Sequence, residues 1–429
     1  MLRSLGFSAF SNFSRFLASG VLFIALATLW PPDMFGRFVF HHVLALVAAM
    51  VVDYGLALRT MREVAHAPRA ARSVLRSTLA AQLLLVPLSG LLGVGFWTAG
   101  LIEGPALFAL LWLAHVLFNF VNTGYGACRG LGRHDVEARI ALVGNVFLCV
   151  LPLAVAWTEF GPEAVAAAMV TARLLQALAT AAHLSVLPAA AGPARESARR
   201  VLRHARVYAL ENWVSALFQN ADSLIVRLML GEAALGIYQA GARFMTIAII
   251  LAQSVGNLLV PSLTAALADR RAFRRSARRT TMVLGGLGLA SFAGLALLGG
   301  PVADLLYGEA YAGVAQLMPL FGVVACLRCI AASQGFVLLA LDQQAYRFLA
   351  VLGALGVFLA AGPAGAMLGV SGVIWANALS VAALLALYRW RAALSLPPSD
   401  VGERRSSEGD GTTGTLGRME RRPAAQERP

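Results

Sequence analysis

The chain has 429 residues, 59% of them hydrophobic and 13% charged, with a formal net charge of +13 and a mean hydropathy of +0.71. Soluble domains carry about 25% charged and about 45–50% apolar residues, so a soluble globule is excluded and a polytopic membrane protein is expected. The positive excess is entirely arginine. It lies in alternate gaps between apolar runs, so topology accounts for it and a nucleic-acid partner is not required.

A span needs about 20 apolar residues to cross about 30 Å of hydrocarbon. In chain order the runs predict twelve spans, near 12–30, 38–58, 78–98, 105–125, 138–157, 163–186, 207–229, 236–264, 281–300, 312–340, 345–361 and 370–390. One set of gaps holds Arg59, Arg62, Arg69, Arg72 and Arg76, then Arg129 and Arg133, then Arg195 to Arg206, then Arg270 to Arg279. The intervening gaps hold Asp33, Glu103, Glu159, Glu163, Glu232, Asp304 and Glu309, with Arg37 as their basic member. Short Arg-rich loops stay on the cytoplasmic side, which places both termini inside. The expected location is the bacterial inner membrane.

The segment from Leu187 to Arg206 is the longest polar interruption within the apolar region. It divides an N-terminal six-helix lobe, residues 1–188, from a C-terminal one, residues 207–392, with a cytoplasmic linker at 189–206. A shift of 200 positions supports a duplication: Asn12 meets Asn212, Phe13 meets Trp213, Phe35-Gly36 meets Leu235-Gly236, and Phe38 meets Tyr238. Each half begins and ends on one side, so the repeats run in parallel about an axis along the membrane normal. Residues 393–429 turn to Pro, Ser, Gly, Thr, Arg and Glu and are expected to form a disordered cytoplasmic tail.

Polar residues three and four apart share a helix face. The first span carries Asn12, Arg15 and Ser19. The fourth carries His115, Asn119, Asn122 and Arg129, and the sixth carries Arg173, Gln176, Thr180 and His183. The seventh carries Asn212, Ser215, Gln219 and Asp222, and the eighth carries Gln239, Arg243, Thr246, Gln253 and Asn257. A lone Asn or Gln in a span is accounted for by hydrogen bonds that join helices, each contributing about 1 kcal/mol or less. An arginine at mid-depth costs about 2.5–3.5 kcal/mol on insertion scales and normally faces a bundle interior or wet cavity. Arg15, Arg173, Arg243 and Arg328 outnumber the deep acids Asp53 and Asp222. The expectation is therefore a shared polar cavity with surplus positive charge, suited to a diphosphate, whose oxygens match the guanidinium fork. Asp222 either offsets Arg243 or Arg227 or serves a coupling cation; Asp53 is the other candidate for an ion pair or for coupling.

Several segments resemble the polysaccharide transporter family, the oligosaccharidyl-lipid flippases of the multidrug/oligosaccharidyl-lipid/polysaccharide (MOP) exporter superfamily. They are Pro31 to Phe38, Asp53-Tyr54-Gly55-Leu56 with Arg59 and Arg62, Asn220 to Val226 with Leu230-Gly231, Leu235 to Ala240, Pro261-Ser262-Leu263, and Leu305 to Tyr311. The resemblance implies an all-α, MATE-like bundle of two lobes around a cavity that opens alternately to each side. It implies movement of polyprenyl-diphosphate-linked oligosaccharides for O-antigen, capsule or exopolysaccharide synthesis, alongside a polysaccharide polymerase and glycosyltransferases. By position it implies Arg15 and Arg243 as receivers of the diphosphate; the helical stripes add Arg173, Asn12, Gln219, Gln239, Gln253 and Asn257 to the expected cavity.

Two other classes compete. A multidrug or cation antiporter would line its cavity with aromatic and acidic groups. A membrane polymerase or ligase would need an outer loop large enough to build a site, and the outer gaps are short. No HExxH, GxSxG or Walker motif occurs, so no enzymatic activity and no cofactor is expected. Cys326 and Cys329 have CxxC spacing without a second ligand pair, and no metal is expected there.

Overall fold

The computed structural model describes residue 14 and residues 18–158, 160–185 and 196–395. Their regular structure is helical: α1 Ala18–Leu29, then α2 Pro32–Asp53, α3 Leu56–His66, α4 Ala71–Thr98, α5 Pro105–Gly130, α6 His134–Ala156 and α7 Gly161–Ser185. There follow α8 Ala198–Leu230, α9 Glu232–Ala265, α10 Arg270–Tyr307, α11 Ala312–Ala340, α12 Gln344–Ala366 and α13 Val370–Leu394. Two single 3-10 turns, at Pro68–Ala70 and Glu309–Tyr311, complete the set. Ten helical segments are long and apolar enough to cross a membrane, α2 and α3 counting as one. α8, the seventh expected span, falls outside those ten because Asn212, Gln219, Asn220 and Asp222 lower its hydropathy. Asn12, Arg15 and the tail beyond residue 395 lie outside the described residues.

Two Arg-rich stretches read as loops are helical. α8 begins at Ala198, inside the expected linker, and α10 at Arg270. Arginine is a good helix former, and Asp269 caps α10 by accepting the Arg271 amide at 2.7 Å. The second span is not the continuous helix expected. α2 stops at Asp53, Tyr54 and Gly55 take left-handed φ values of 44° and 68°, and α3 restarts at Leu56. A Cβ on Gly55 would stand 2.5 Å from Cβ of Tyr208, so both the turn and the close approach of α8 require glycine.

The packing of the first half recurs in the second. α7 packs on α5 and α6, and α13 packs on α11 and α12. α5 meets α3 and α4, and α11 meets α9 and α10. Asn145 on α6 donates to Ser14 at 3.1 Å, while α12 packs on α8. The halves meet chiefly along α2 and α9, and also where α8 touches α2 and α4. A Cβ on Gly36 would enter the carbonyl of Glu232, and a Cβ on Gly236 would enter the carbonyl of Pro32. Gly36 and Gly236, and likewise Pro32 and Glu232, are 200 residues apart, so the contact is reciprocal, the pattern that a two-fold axis between α2 and α9 produces. Lipid offers little hydrophobic drive between helices, and small residues gain attraction by letting backbones approach. Phe35, Phe38, Leu235, Tyr238 and Phe321 close over this line with at most 1% exposure.

Candidate functional site

Above the glycine contact α8 and α9 turn their polar stripes toward each other. Between α1, α2, α8, α9 and α11 lies a cavity of about 360 Å³, lined among others by His42, Gln219, Asp222, Gln239, Arg243, Gln253 and Arg328. Asp222 is the carboxylate in this lining, 6% exposed. Its Oδ1 accepts the Ser223 amide at 2.7 Å and the Ser223 hydroxyl at 3.2 Å. Its Oδ2 accepts from the Tyr238 hydroxyl at 2.5 Å and from Asn377 Nδ2 at 3.1 Å. Gln239 donates to the Ser223 hydroxyl at 2.6 Å. Neutral donors thus solvate this charge, and no ion pair to Asp222 occurs among the described residues. Arg227 turns instead to Glu232 at 2.9 Å and Glu103 at 3.7 Å.

Arg243 lies 4.1 Å above the Phe23 ring, and its buried Nε has no hydrogen-bond partner. Arg328 donates to Asn377 Oδ1 at 3.2 Å, its Nε likewise without partner. Two further cavities share lining with the first. Ser19, His42 and Leu46 also border a space of about 270 Å³ with His115, Phe118 and Arg173. Ile249, Gln253 and Arg328 also border one of about 230 Å³ with Arg347 and Tyr388. Arg173 donates to Gln176 at 2.7 Å and stacks 4.3 Å over Phe118. Among the described residues lining these three spaces are four guanidinium groups and one carboxylate, Asp222, which already accepts four hydrogen bonds. Arg243, held by the Phe23 face with its Nε unpartnered, keeps a donor available for an anion.

Of the residues expected in the cavity, Gln219, Gln239, Arg243 and Gln253 line it and Arg173 lines its neighbour. Asn257, one turn beyond Gln253, is exposed and lines none of the three. Asp53 is buried at the end of α2, where Asn212 donates to its Oδ2, and lines a separate space with Asn122 and Arg129. Asn119 joins helices, donating to the Ala49 carbonyl at 2.7 Å. The sequence reading passed over His42, Asn377 and Arg347. His42 sits in an apolar run without a stripe of its own. Its signal is spatial: its ring lies 4.9 Å from that of Phe23 and 4.6 Å from that of His115.

A family model described as "Polysaccharide biosynthesis protein" matches residues 25–316. No curated protein matches the chain. Among solved structures, an inward-facing multidrug resistance MATE family transporter of the MOP superfamily is similar at 17% identity, over 89% of this chain and 95% of that one, with a TM-score of 0.71. A MATE protein in complex with MaL6 is similar at 17% identity over 92% and 96%, with a TM-score of 0.65. An outward-facing multidrug resistance MATE transporter reaches 0.63 at 17% identity over 92% and 95%. The match covers more than half of the chain, whose helices follow the MATE arrangement: the chain belongs to the polysaccharide biosynthesis protein family, on a MATE-like fold.

Proposed function

We propose that this chain is a flippase that carries polyprenyl-diphosphate-linked oligosaccharide units across the bacterial inner membrane by alternating access. The observation that carries the reading is the charge of the cavity: Arg243 and Arg328 line it, Arg173 and Arg347 border its extensions, and among the described lining residues Asp222 is the one carboxylate. Family membership supports the polysaccharide context. In the proposed cycle Arg243 and Arg15 hold the diphosphate, and Asn12 on the first span meets the sugars. Gln219, Gln239 and Gln253 exchange hydrogen bonds with the sugars, while the lipid tail stays between helices. The lobes 1–188 and 207–392 rock against one another about the α2–α9 line, with both termini inside and the linker and tail cytoplasmic. A polymerase at the outer face consumes the product, and inner-face glycosyltransferases supply the substrate.

The MATE neighbours favour a multidrug antiporter as the second reading. An organic cation needs anionic or aromatic walls free of competing positive charge, and among the described residues lining this cavity Arg243 and Arg328 stand beside one hydrogen-bonded carboxylate, Asp222. The two readings part in a deletion strain. The flippase reading expects lipid-linked oligosaccharide to accumulate on the inner leaflet and surface polysaccharide to vanish, both reversed by the wild-type gene. Unchanged polysaccharide with heightened sensitivity to cationic drugs would replace it with the antiporter.

A further inference from the structure

A side pocket opens off the Arg-lined cavity into the second half of the chain. It holds about 230 Å³ and shares Ile249, Gln253 and Arg328 with that cavity. Arg328 stands near the middle of α11, and Gly335, Phe336, Arg347 and Tyr388 carry the pocket toward the turn that joins α11 to α12. Arg347 lies one turn into α12, where a cation near a loop is ordinary. Its Nε, however, is buried without a hydrogen-bond partner, and so is that of Arg328. Neither arginine has an ion pair among the described residues, and none of the described residues lining the pocket is acidic. Gly335 keeps the space between these groups open: a Cβ there would stand 3.4 Å from Tyr388 Cε2 and 4.0 Å from Arg347 Nε.

The chemistry of the lining selects its ligand. Guanidinium groups only donate, whereas a neutral sugar hydroxyl both donates and accepts. Two guanidinium groups, each with an unmet Nε donor, therefore favour a group with several acceptor oxygens and a negative charge. Ala252, Ala331, Phe336 and Leu384 make much of the remaining wall apolar, which strengthens any charge pairing inside it. The pocket is smaller than the roughly 300–1,000 Å³ that enclose drug-sized ligands, so it takes one ring of a glycan and not the whole unit. Arg243 meets Phe23 of α1, whereas Arg328 meets Asn377 of α13, so the two arginines line different walls of the shared cavity. The geometry points to an acidic-sugar subsite: the carried oligosaccharide bears a carboxylate, as a uronic acid does, and Arg328 and Arg347 receive it while Arg243 holds the diphosphate. This inference rests on the flippase reading and adds to it the charge of the glycan.

The test is translocation in vesicles containing the full-length protein, with two substrates that share the polyprenyl diphosphate and differ in one terminal sugar, glucuronic acid or glucose. Wild type is expected to move the acidic substrate about tenfold faster, the worth of one hydrogen bond to a charged group. Arg347→Gln should bring the two rates together, and Arg347→Lys should keep part of the preference. Gly335→Ala should lower the preference by filling the pocket with no change in charge. The readout is the ratio of the two rates, which a general loss of folded protein leaves unmoved. If Arg347→Gln does not accumulate as folded protein, Gly335→Ala decides. Equal wild-type rates for the two substrates, or a preference that survives both Arg347→Gln and Gly335→Ala, would overturn the subsite and leave the flippase reading standing. Equal slowing of both substrates by Arg347→Gln would assign that arginine to the diphosphate and overturn the subsite likewise. Movement of neither substrate by wild type would overturn the flippase reading, and the subsite with it.

Discussion

The two ends of α2 meet the second half of the chain by different means. At its N-terminal end the contact is dry and backbone-tight: Gly36 lies against Glu232, Gly236 against Pro32, and the Tyr311 hydroxyl donates to the Trp30 carbonyl at 3.1 Å. At its C-terminal end the contact is polar. Asn212 donates to Asp53, Trp213 Nε1 donates to the Met50 carbonyl at 2.9 Å, and Arg62 donates to the Tyr208 hydroxyl at 2.6 Å. Arg59 there pairs with Glu63 and Glu196, both at 2.5 Å. Close packing is lost outright when surfaces part, whereas polar groups that reach water trade partners at a net cost of about 0.5–1.5 kcal/mol each. In the proposed cycle the glycine line is the pivot, and the polar end is the part that opens.

Substitutions that strike each end should separate these roles. The largest effect is expected from Gly36→Val, whose Cβ would run into the backbone of Glu232 and Gly236. Overpacking of this kind costs about 1–3 kcal/mol or more, so folded protein in the membrane should fall sharply, read by abundance and by unfolding midpoint. A variant at wild-type abundance would mean that α2 and α9 can separate there. Next comes Asn212→Leu, which strips the hydrogen bond from a carboxylate 7% exposed; a cost of about 1–3 kcal/mol is expected, seen as a lower midpoint with the fold retained. Tyr311→Phe removes one hydroxyl at the pivot and should cost about 1 kcal/mol. The smallest effect, within about 0.5 kcal/mol, is expected for Arg62→Ala at the exposed rim of the polar end. If Arg62→Ala destabilised more than Gly36→Val, the assignment of pivot and opening would be reversed.

The polar faces of α8 and α9 were legible because helical spacing alone brings Gln219 and Asp222, or Gln239, Arg243 and Gln253, to one side. The spacing does not say where a cavity ends, which is why Asn257 extends the stripe yet lies outside the lining. The register of 200 residues pointed to Gly36 and Gly236 as equivalents, and their direct contact gives that weak similarity a physical cause. The partners of Asp222 were not legible. Asn377 comes from α13, 155 residues away, and no local pattern reports which of several buried polar groups a fold will bring to a carboxylate. Arg227 found Glu232 five residues on, across the turn between α8 and α9, a pairing that the continuous helical face did not reveal. The break after Asp53 was hidden for a similar reason. The apolar run passes through it, and only the left-handed turn and the approach of Tyr208 show why Gly55 stands there.

The central claim is that the cavity's surplus guanidinium receives a lipid-linked diphosphate. Its most direct measurement is translocation of a polyprenyl-diphosphate-linked sugar in vesicles containing the purified protein. Wild type should move the diphosphate substrate and Arg243→Ala should not, at equal incorporation, while Arg243→Lys recovers part of the rate because its point charge lacks the bidentate fork. Translocation by Arg243→Ala at the wild-type rate would contradict the account.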